Sequence, residues 1–317
     1  MVTLENLSSG KIKREETATE NKKRRFAITK KDLSGWAILL PSLVLFSFFI
    51  WGPLIMNVIL SFFDGFDLKE FRGFENYVTI FKDETFLAAF RNTFLYIFWS
   101  LVIGFLVPII LGIMLSEVRH CKALFRIGLY LPCVISGVAA CYLFKELYNP
   151  EPYSVLNTIL KGMGLAPSRF TSDPKIAIPL IVVAMTWRGA GSTVLIYLSA
   201  IQTIDTNQFE AVRLDGGGFV SRLNHVVLSH LKPTISTLFI MQVISVFQVF
   251  YEPMIITSTN TPSTVSLMLK SYTYAFEDGK PELGAAVGVI LSLIILFFTG
   301  IYFLVQWKFD NGKRKAR

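Results

Sequence analysis

Charge is scarce in this sequence: only 17% of its 317 residues are Asp, Glu, Lys or Arg, against about 25% in an ordinary soluble domain. Cysteine is scarcer still. Cys121, Cys133 and Cys141 are too few and too close to apolar runs to make a disulfide framework or a zinc site. His120, His225 and His230 form no HExxH pattern, and no GxxxxGK[ST] phosphate loop occurs, which argues against a metalloprotease or a self-powered ATPase. Apolar residues, by contrast, make up 52% of the chain, with 28 Phe among them, and the mean hydropathy is +0.51. A soluble core of this size has no room for so much apolar surface, so most of the chain is expected to lie in lipid. The net charge of +8 then reads as basic loops on one side of a membrane, and nucleic acid is not an expected partner.

Six apolar runs follow a basic segment. Residues 1–34 carry nine Lys and Arg, including Lys22-Lys23-Arg24-Arg25, and form no core; they read as a disordered cytoplasmic tail. The apolar stretch behind them is too long for a signal peptide and lacks a small-residue cleavage site. The runs are Ser34 to Phe63, Asn92 to Ser116, Ile127 to Phe144, Ile176 to Ile204, Pro233 to Tyr251 and Leu283 to Trp307. A helix needs about 20 residues to cross hydrocarbon, and even the third run has 18. Pro41, Pro53, Pro108 and Pro132 lie inside them, which membrane helices tolerate. The expected fold is an all-α membrane protein of six transmembrane helices over 35–307, with a second basic tail at 308–317. Lys and Arg number 20 on the side of the two tails and 10 on the other. This bias places both termini in the cytoplasm of a multi-pass protein.

One connector is unlike a simple loop. In 204–233, Asp205 with Gln208 three residues on has the form of a capping box opening a short helix. Phe209 and Val212 share one face of that helix, and Gly216 suits the positive φ that ends it. A second helix is expected from Phe219 to Leu231, stopping at Lys232-Pro233 where the fifth run begins. An amphipathic interfacial loop remains the plain alternative on composition alone. Asp215 reads equally as a cap of the second helix or as a contact residue.

The residues of this loop carry a resemblance. Glu210-Ala211-Val212, then Asp215-Gly216-Gly217, nine residues between Gly216 and Val226, then Leu228 and Leu231-Lys232-Pro233, resemble the EAA loop of binding-protein-dependent ABC importer permeases. Val212 and Gly217 stand where that family usually has alanine, and Ser229 stands in place of a proline. The resemblance covers roughly 35–307. Gly73-Phe74-Glu75-Asn76-Tyr77 with Phe90-Arg91-Asn92-Thr93, Tyr130-Leu131-Pro132, Trp187 with Gly189, and Phe247-Gln248-Val249-Phe250-Tyr251-Glu252 are similar to the sugar-transporting branch. Asn260-Thr261-Pro262 departs from that branch's Gly-Gly-Pro, and no large periplasmic insertion is present. The chain thus looks nearer the glycerol-phosphate and multiple-sugar permeases than the insertion-bearing maltose subunit.

The resemblance implies a type I ABC importer permease in a bacterial plasma membrane. It implies pairing with a second homologous permease subunit, a cytoplasmic ATPase dimer that binds ATP and Mg²⁺, and an extracytoplasmic binding protein that delivers a sugar. No cofactor belongs to this chain itself, which is a transport subunit and not an enzyme. Glu210, Ala211, Asp215 and Gly216 would then couple to the ATPase. Arg188 and Glu252 are the two charges in or beside the runs, at similar depths of about 24 and 28 Å from the cytoplasmic edge. Each needs a partner or a water-filled cavity. They are expected to line a substrate pathway with Gly189, Ser192, Gln248 and Tyr251, and to pair with each other when it is empty. A static salt bridge is the plain alternative. Phe247, Phe250 and Tyr251 read as platforms for sugar rings or as packing residues. The competing class is an ion-coupled transporter or channel, which usually shows more ionisable stations than two.

Overall fold

A computed structural model describes residues 30–118 and 120–315; the expected tail over 1–29 lies outside the described residues. The chain divides between Met56 and Asn57 into two units. Helix α1 (Ser34–Leu60) has almost every side chain exposed, Ile38 and Phe48 among the most open. That is the surface of a helix whose solvent is lipid.

Among the described residues from Asn57 onward every regular element is helical, with one isolated bridge between Phe63 and Phe71. Helices α2 (Glu75–Lys82), α3 (Glu84–Glu117), α4 (Lys122–Val134), α5 (Gly137–Leu147) and α6 (Val155–Gly162) lead to α7 (Ala177–Gln202). They are followed by α8 (Thr206–Leu214), α9 (Phe219–Phe247), α10 (Tyr251–Ile256), α11 (Leu267–Tyr272) and α12 (Pro281–Lys315). The backbone of α12 runs straight on through 308–315, the segment read as a tail. Helices α1, α3, α7, α9 and α12 are long and apolar enough to span a membrane, and α4 with α5 is apolar enough to be a sixth, broken span or a re-entrant loop.

That sixth candidate is bent by 96°, where the sequence pattern predicts one helix over Ile127 to Phe144. Ile135 and Ser136 are extended between the two helices. Gly137 then lets α5 approach closely, since a Cβ there would lie 2.8 Å from the Tyr251 hydroxyl. Small residues set the other close approach as well. A Cβ on Gly191 of α7 would meet the Leu129 carbonyl of α4 at 2.1 Å, so only glycine allows these helices to touch.

Helix α3 threads the apolar core. One cluster joins its Phe86 and Ala89 to Phe247 of α9 and Val287 of α12, and a second joins Tyr96 to Cys141, Ile181 and Val246. Its middle carries a π turn, Ser100–Phe105, just before Pro108. Proline removes one helical amide and crowds the carbonyl four residues back, which is that of Gly104.

Polar contacts fix the start of α3. Asn92 donates to the carbonyls of Pro262 (2.8 Å) and Val265 (3.1 Å), and the Tyr96 hydroxyl donates to Thr264 O (2.9 Å). These bonds clamp the loop in which Asn260-Thr261-Pro262 departs from the family pattern. Asp83 caps α3 by accepting from the Thr85 amide at 2.8 Å. It also accepts from the Tyr274 hydroxyl and lies 3.6 Å from the buried Lys270 ammonium.

Burial alone would raise the Asp83 carboxyl. The hydroxyls of Tyr274 and Thr85, the Thr85 amide and the Lys270 charge outweigh that and hold it at about 2, below its ordinary 3.8. The folded-state value is the lower one, so the ionised carboxylate contributes stability at neutral pH. That contribution fades as pH falls from about 4 towards about 2. Asp83→Asn is therefore expected to lower the melting temperature of the purified protein by a few degrees at pH 7. It should also flatten the loss of stability between about pH 4 and 2. Melting curves indistinguishable from those of the unchanged protein would contradict this.

Candidate functional site

Two regions bring the expected residues together. At the first, the α7–α9 connector, Asp205 caps α8 with extended backbone. Its carboxylate accepts from the Asn207 amide at 3.0 Å, one position short of the Gln208 amide that a capping box uses. The helix closes as the glycine pattern predicts. Gly216 has φ +74°; its amide donates to Arg213 O (3.0 Å), and that of Gly217 to Val212 O (2.8 Å). These two bonds are the Schellman closure. Phe209 and Val212 turn towards a core of Ile201, Ile204, Val226, Val227 and Leu231.

Glu210, Ala211, Asp215 and Gly216 are all exposed. Leu214, 88% exposed, sits one turn from Glu210 on the same side. Sequence reasoning overlooked Leu214, although a leucine four residues from Glu210 and off the Phe209–Val212 face was a readable signal. Asp215 does not cap the second helix. It is the C-cap of α8, and the N-cap of the next helix is Gly218.

The second helix also differs from expectation. It does not stop at Lys232-Pro233 but runs unbroken from Phe219 to Phe247 as α9, with a π turn at Leu223–Val227. Pro233 costs α9 one amide, which a membrane helix tolerates when local groups compensate. Ser229, standing where the family has proline, donates its hydroxyl to Asn224 O at 3.2 Å.

The two departures at the alanine positions of the motif meet each other. A Cβ on Gly217 would lie 2.6 Å from Val212 Cγ1 and 2.8 Å from Val212 O. Valine at 212 thus occupies the space an alanine at 217 would need. Gly217→Ala is expected to destabilise the loop, seen as faster amide exchange across 206–222, and Val212→Ala to restore part of the protection in the double variant. Equal exchange in all three proteins would refute the steric account.

The second region is a cavity of about 400 Å³ among α3, α7, α9 and α10, within the range of about 300–1,000 Å³ usual for small-ligand sites. Five of the six residues expected on a substrate pathway line it: Arg188, Gly189, Gln248, Tyr251 and Glu252. Ser192 does not. It is exposed and donates back to Gly189 O at 3.0 Å, and its neighbour Thr193 faces the cavity instead.

The expected pairing of the two charges is also different. Among the described residues no ion pair joins Arg188 to Glu252. Arg188 Nη1 donates to the Tyr251 hydroxyl at 2.9 Å. The reason is the break after α9: Gln248 and Phe250 leave helical geometry, which presents Tyr251 to Arg188. Arg188 Nε is buried without an acceptor among the described residues. Of the three aromatics considered for stacking, only Tyr251 lines the cavity. Phe247 is fully buried between Phe94 and Phe298, and Phe250 packs on Tyr272.

Opposite Arg188 lies a polar group that sequence reasoning passed over. Gln242 Nε2 donates to Ser100 Oγ at 2.6 Å, and a Cβ on Gly104 would touch both, as well as Thr186 Oγ1 at 3.3 Å. A lone glutamine in the apolar run of α9 was the available signal, because an unsatisfied amide in hydrocarbon is costly. The cavity therefore offers hydroxyls, an amide, a guanidinium, a carboxylate and one aromatic face, which suits a polyhydroxylated solute.

Comparison with known proteins gives a consistent result. The chain is 32% identical over 281 residues to the lactose transport system permease protein LacF of Rhizobium radiobacter, covering 86% of this chain and 93% of that one. It is 28% identical over 270 residues to the arabinooligosaccharides transport system permease protein AraP of Bacillus subtilis (strain 168), covering 84% and 86%. A chain of a bacterial alginate ABC transporter, solved in complex with an alginate pentasaccharide-bound periplasmic protein, superposes with a TM-score of 0.78. It is 26% identical, with 86% of this chain and 93% of that one covered. No protein-family model matches the chain.

Proposed function

This chain belongs to the permease subunits of carbohydrate ABC importers, and on that premise we propose that it forms half of a sugar-translocating pathway with a second, homologous permease. An extracytoplasmic binding protein delivers the sugar, most fittingly an oligosaccharide given the relatives' substrates. A cytoplasmic ATPase dimer, holding ATP and Mg²⁺, drives release inward. Both termini and α8 lie on the cytoplasmic side of a bacterial plasma membrane.

The observation that carries this reading is α8: a capped, Schellman-closed helix with Glu210 and Leu214 exposed on one side. A charged and an apolar group so displayed suit a groove on a partner. Glu210, Ala211, Asp215 and Gly216 form the coupling surface. Arg188, Gly189, Gln248, Tyr251 and Glu252 contact substrate in the cavity.

The test is reconstitution of this chain with a partner permease, ATPase and binding protein in proteoliposomes, followed by uptake of labelled arabino-oligosaccharides, lactose and free monosaccharides. ATP-dependent uptake that needs the binding protein is the expected result. Uptake driven by an ion gradient without ATP would overturn the reading in favour of a secondary transporter.

A further inference from the structure

At the foot of α3 the chain makes a contact that the coupling surface itself does not include. Arg222, the last residue before the π turn of α9, donates through Nη2 to Glu117 Oε2 at 2.7 Å. Glu117 is the final residue of α3. The same guanidinium lies 5.9 Å from the ring of Phe209 on α8 and 5.6 Å from that of Phe219 at the start of α9. One side chain thus meets three elements: the coupling helix, the helix after it and the inner end of α3. A planar cation can stack on rings and bond a carboxylate at once, which lysine's point charge does poorly. The Arg222 side chain is 19% exposed, so the pair is partly shielded from salt and water.

The loop's other anchors are the closing bonds of α8 and the packing of Phe209 and Val212 on the cluster around Leu231. Neither α8 nor the first four residues of α9 bury a side chain; Phe209 and Val212 are only half-buried. Displacement of α8 is therefore felt at Arg222 through the Phe209 ring, and at the end of α3 through the Arg222–Glu117 bond. We propose that Arg222 is a positioning residue that links the coupling helix to α3, so that displacement of α8 reaches the cavity lined by Ser100 and Gly104 of that helix. The proposal rests on the importer reading for its consequence, though not for the contact.

The test has two arms. In the purified chain, Arg222→Ala is expected to speed amide exchange in 206–222 about tenfold and to leave the spans unchanged. Arg222→Lys should retain part of the protection. In the full transporter, Arg222→Ala should keep its ATPase bound and hydrolysing while sugar imported per ATP falls on the order of tenfold. Glu117→Gln should act in the same direction, and combining the two should add little, because they share one contact. Unchanged exchange, an unchanged import-to-ATP ratio, or fully additive losses would each overturn the link. Wild-type protein without ATP-driven uptake, but with exchange responding to Arg222→Ala, would leave the contact standing and refute the importer reading.

Discussion

Gly216→Val is expected to abolish coupled uptake and leave the membrane helices folded. Nothing lies within 4 Å of a Cβ at this position, so the obstacle is not space but the φ of +74°. A β-branched residue pays about 1–2 kcal/mol or more there. Relieving it means undoing the two closing bonds from Gly216 and Gly217, which frays the last turn of α8 beneath Asp215 and Leu214. Glu210→Ala, which touches no fold contact, should weaken ATPase retention without any loss of exchange protection in α8. The pair of variants separates two roles, one holding the shape of the docking helix and the other its chemistry. Co-purification of the ATPase and uptake in proteoliposomes are the readouts. If Glu210→Ala retained its ATPase and transported normally, the coupling assignment would be wrong.

The second large effect is expected in the cavity. Hydrogen bonds to charged groups are worth about 1.5–3 kcal/mol each, so the double variant Arg188→Leu, Glu252→Leu should lower uptake by about two orders of magnitude. ATPase docking, about 24 Å away at the cytoplasmic edge, should be untouched. The single variant Tyr251→Phe is more telling about arrangement, because it deletes the hydroxyl that holds Arg188 in place and keeps the ring. A rise in the substrate concentration needed for half-maximal uptake, with a smaller change in maximal rate, is the expected pattern. Unchanged uptake by the double variant would reduce these charges to a structural role.

The spans and the coupling segment were legible because their signals are local. Charge-free runs long enough to cross hydrocarbon announce helices, and Gly216 falls one residue beyond the C-cap of a helix whose apolar face is Phe209 and Val212. What escaped depends on distant partners. The break between α4 and α5 is stabilised by Tyr251 against Gly137, more than a hundred positions apart. Continuation of α9 through Pro233 reflects the membrane's tolerance of proline, whereas a soluble context would favour a stop. The Arg188–Glu252 pairing failed because equal depth along two helices says nothing about the break at Gln248 and Phe250 that brings Tyr251 to Arg188. Arg222 was counted only as one basic loop residue, since neither Glu117 nor the two phenylalanine rings adjoin it in a way the sequence reveals.

The length of α3 has a further physical consequence. Its 34 residues extend about 51 Å, and the charge-free stretch from Asn92 to Ser116 alone covers about 37 Å, against a hydrocarbon thickness of about 30 Å. A free helix would relieve such mismatch by tilting. This one is held by Asp83 and Lys270 at one end and by Glu117 and Arg222 at the other, so its inclination is set by the neighbouring helices. The neighbouring helices set how much of that excess is taken up as tilt, and the lipid meets what is left. Bilayer thickness then bears on the same helix that carries Ser100 and Gly104 of the cavity wall.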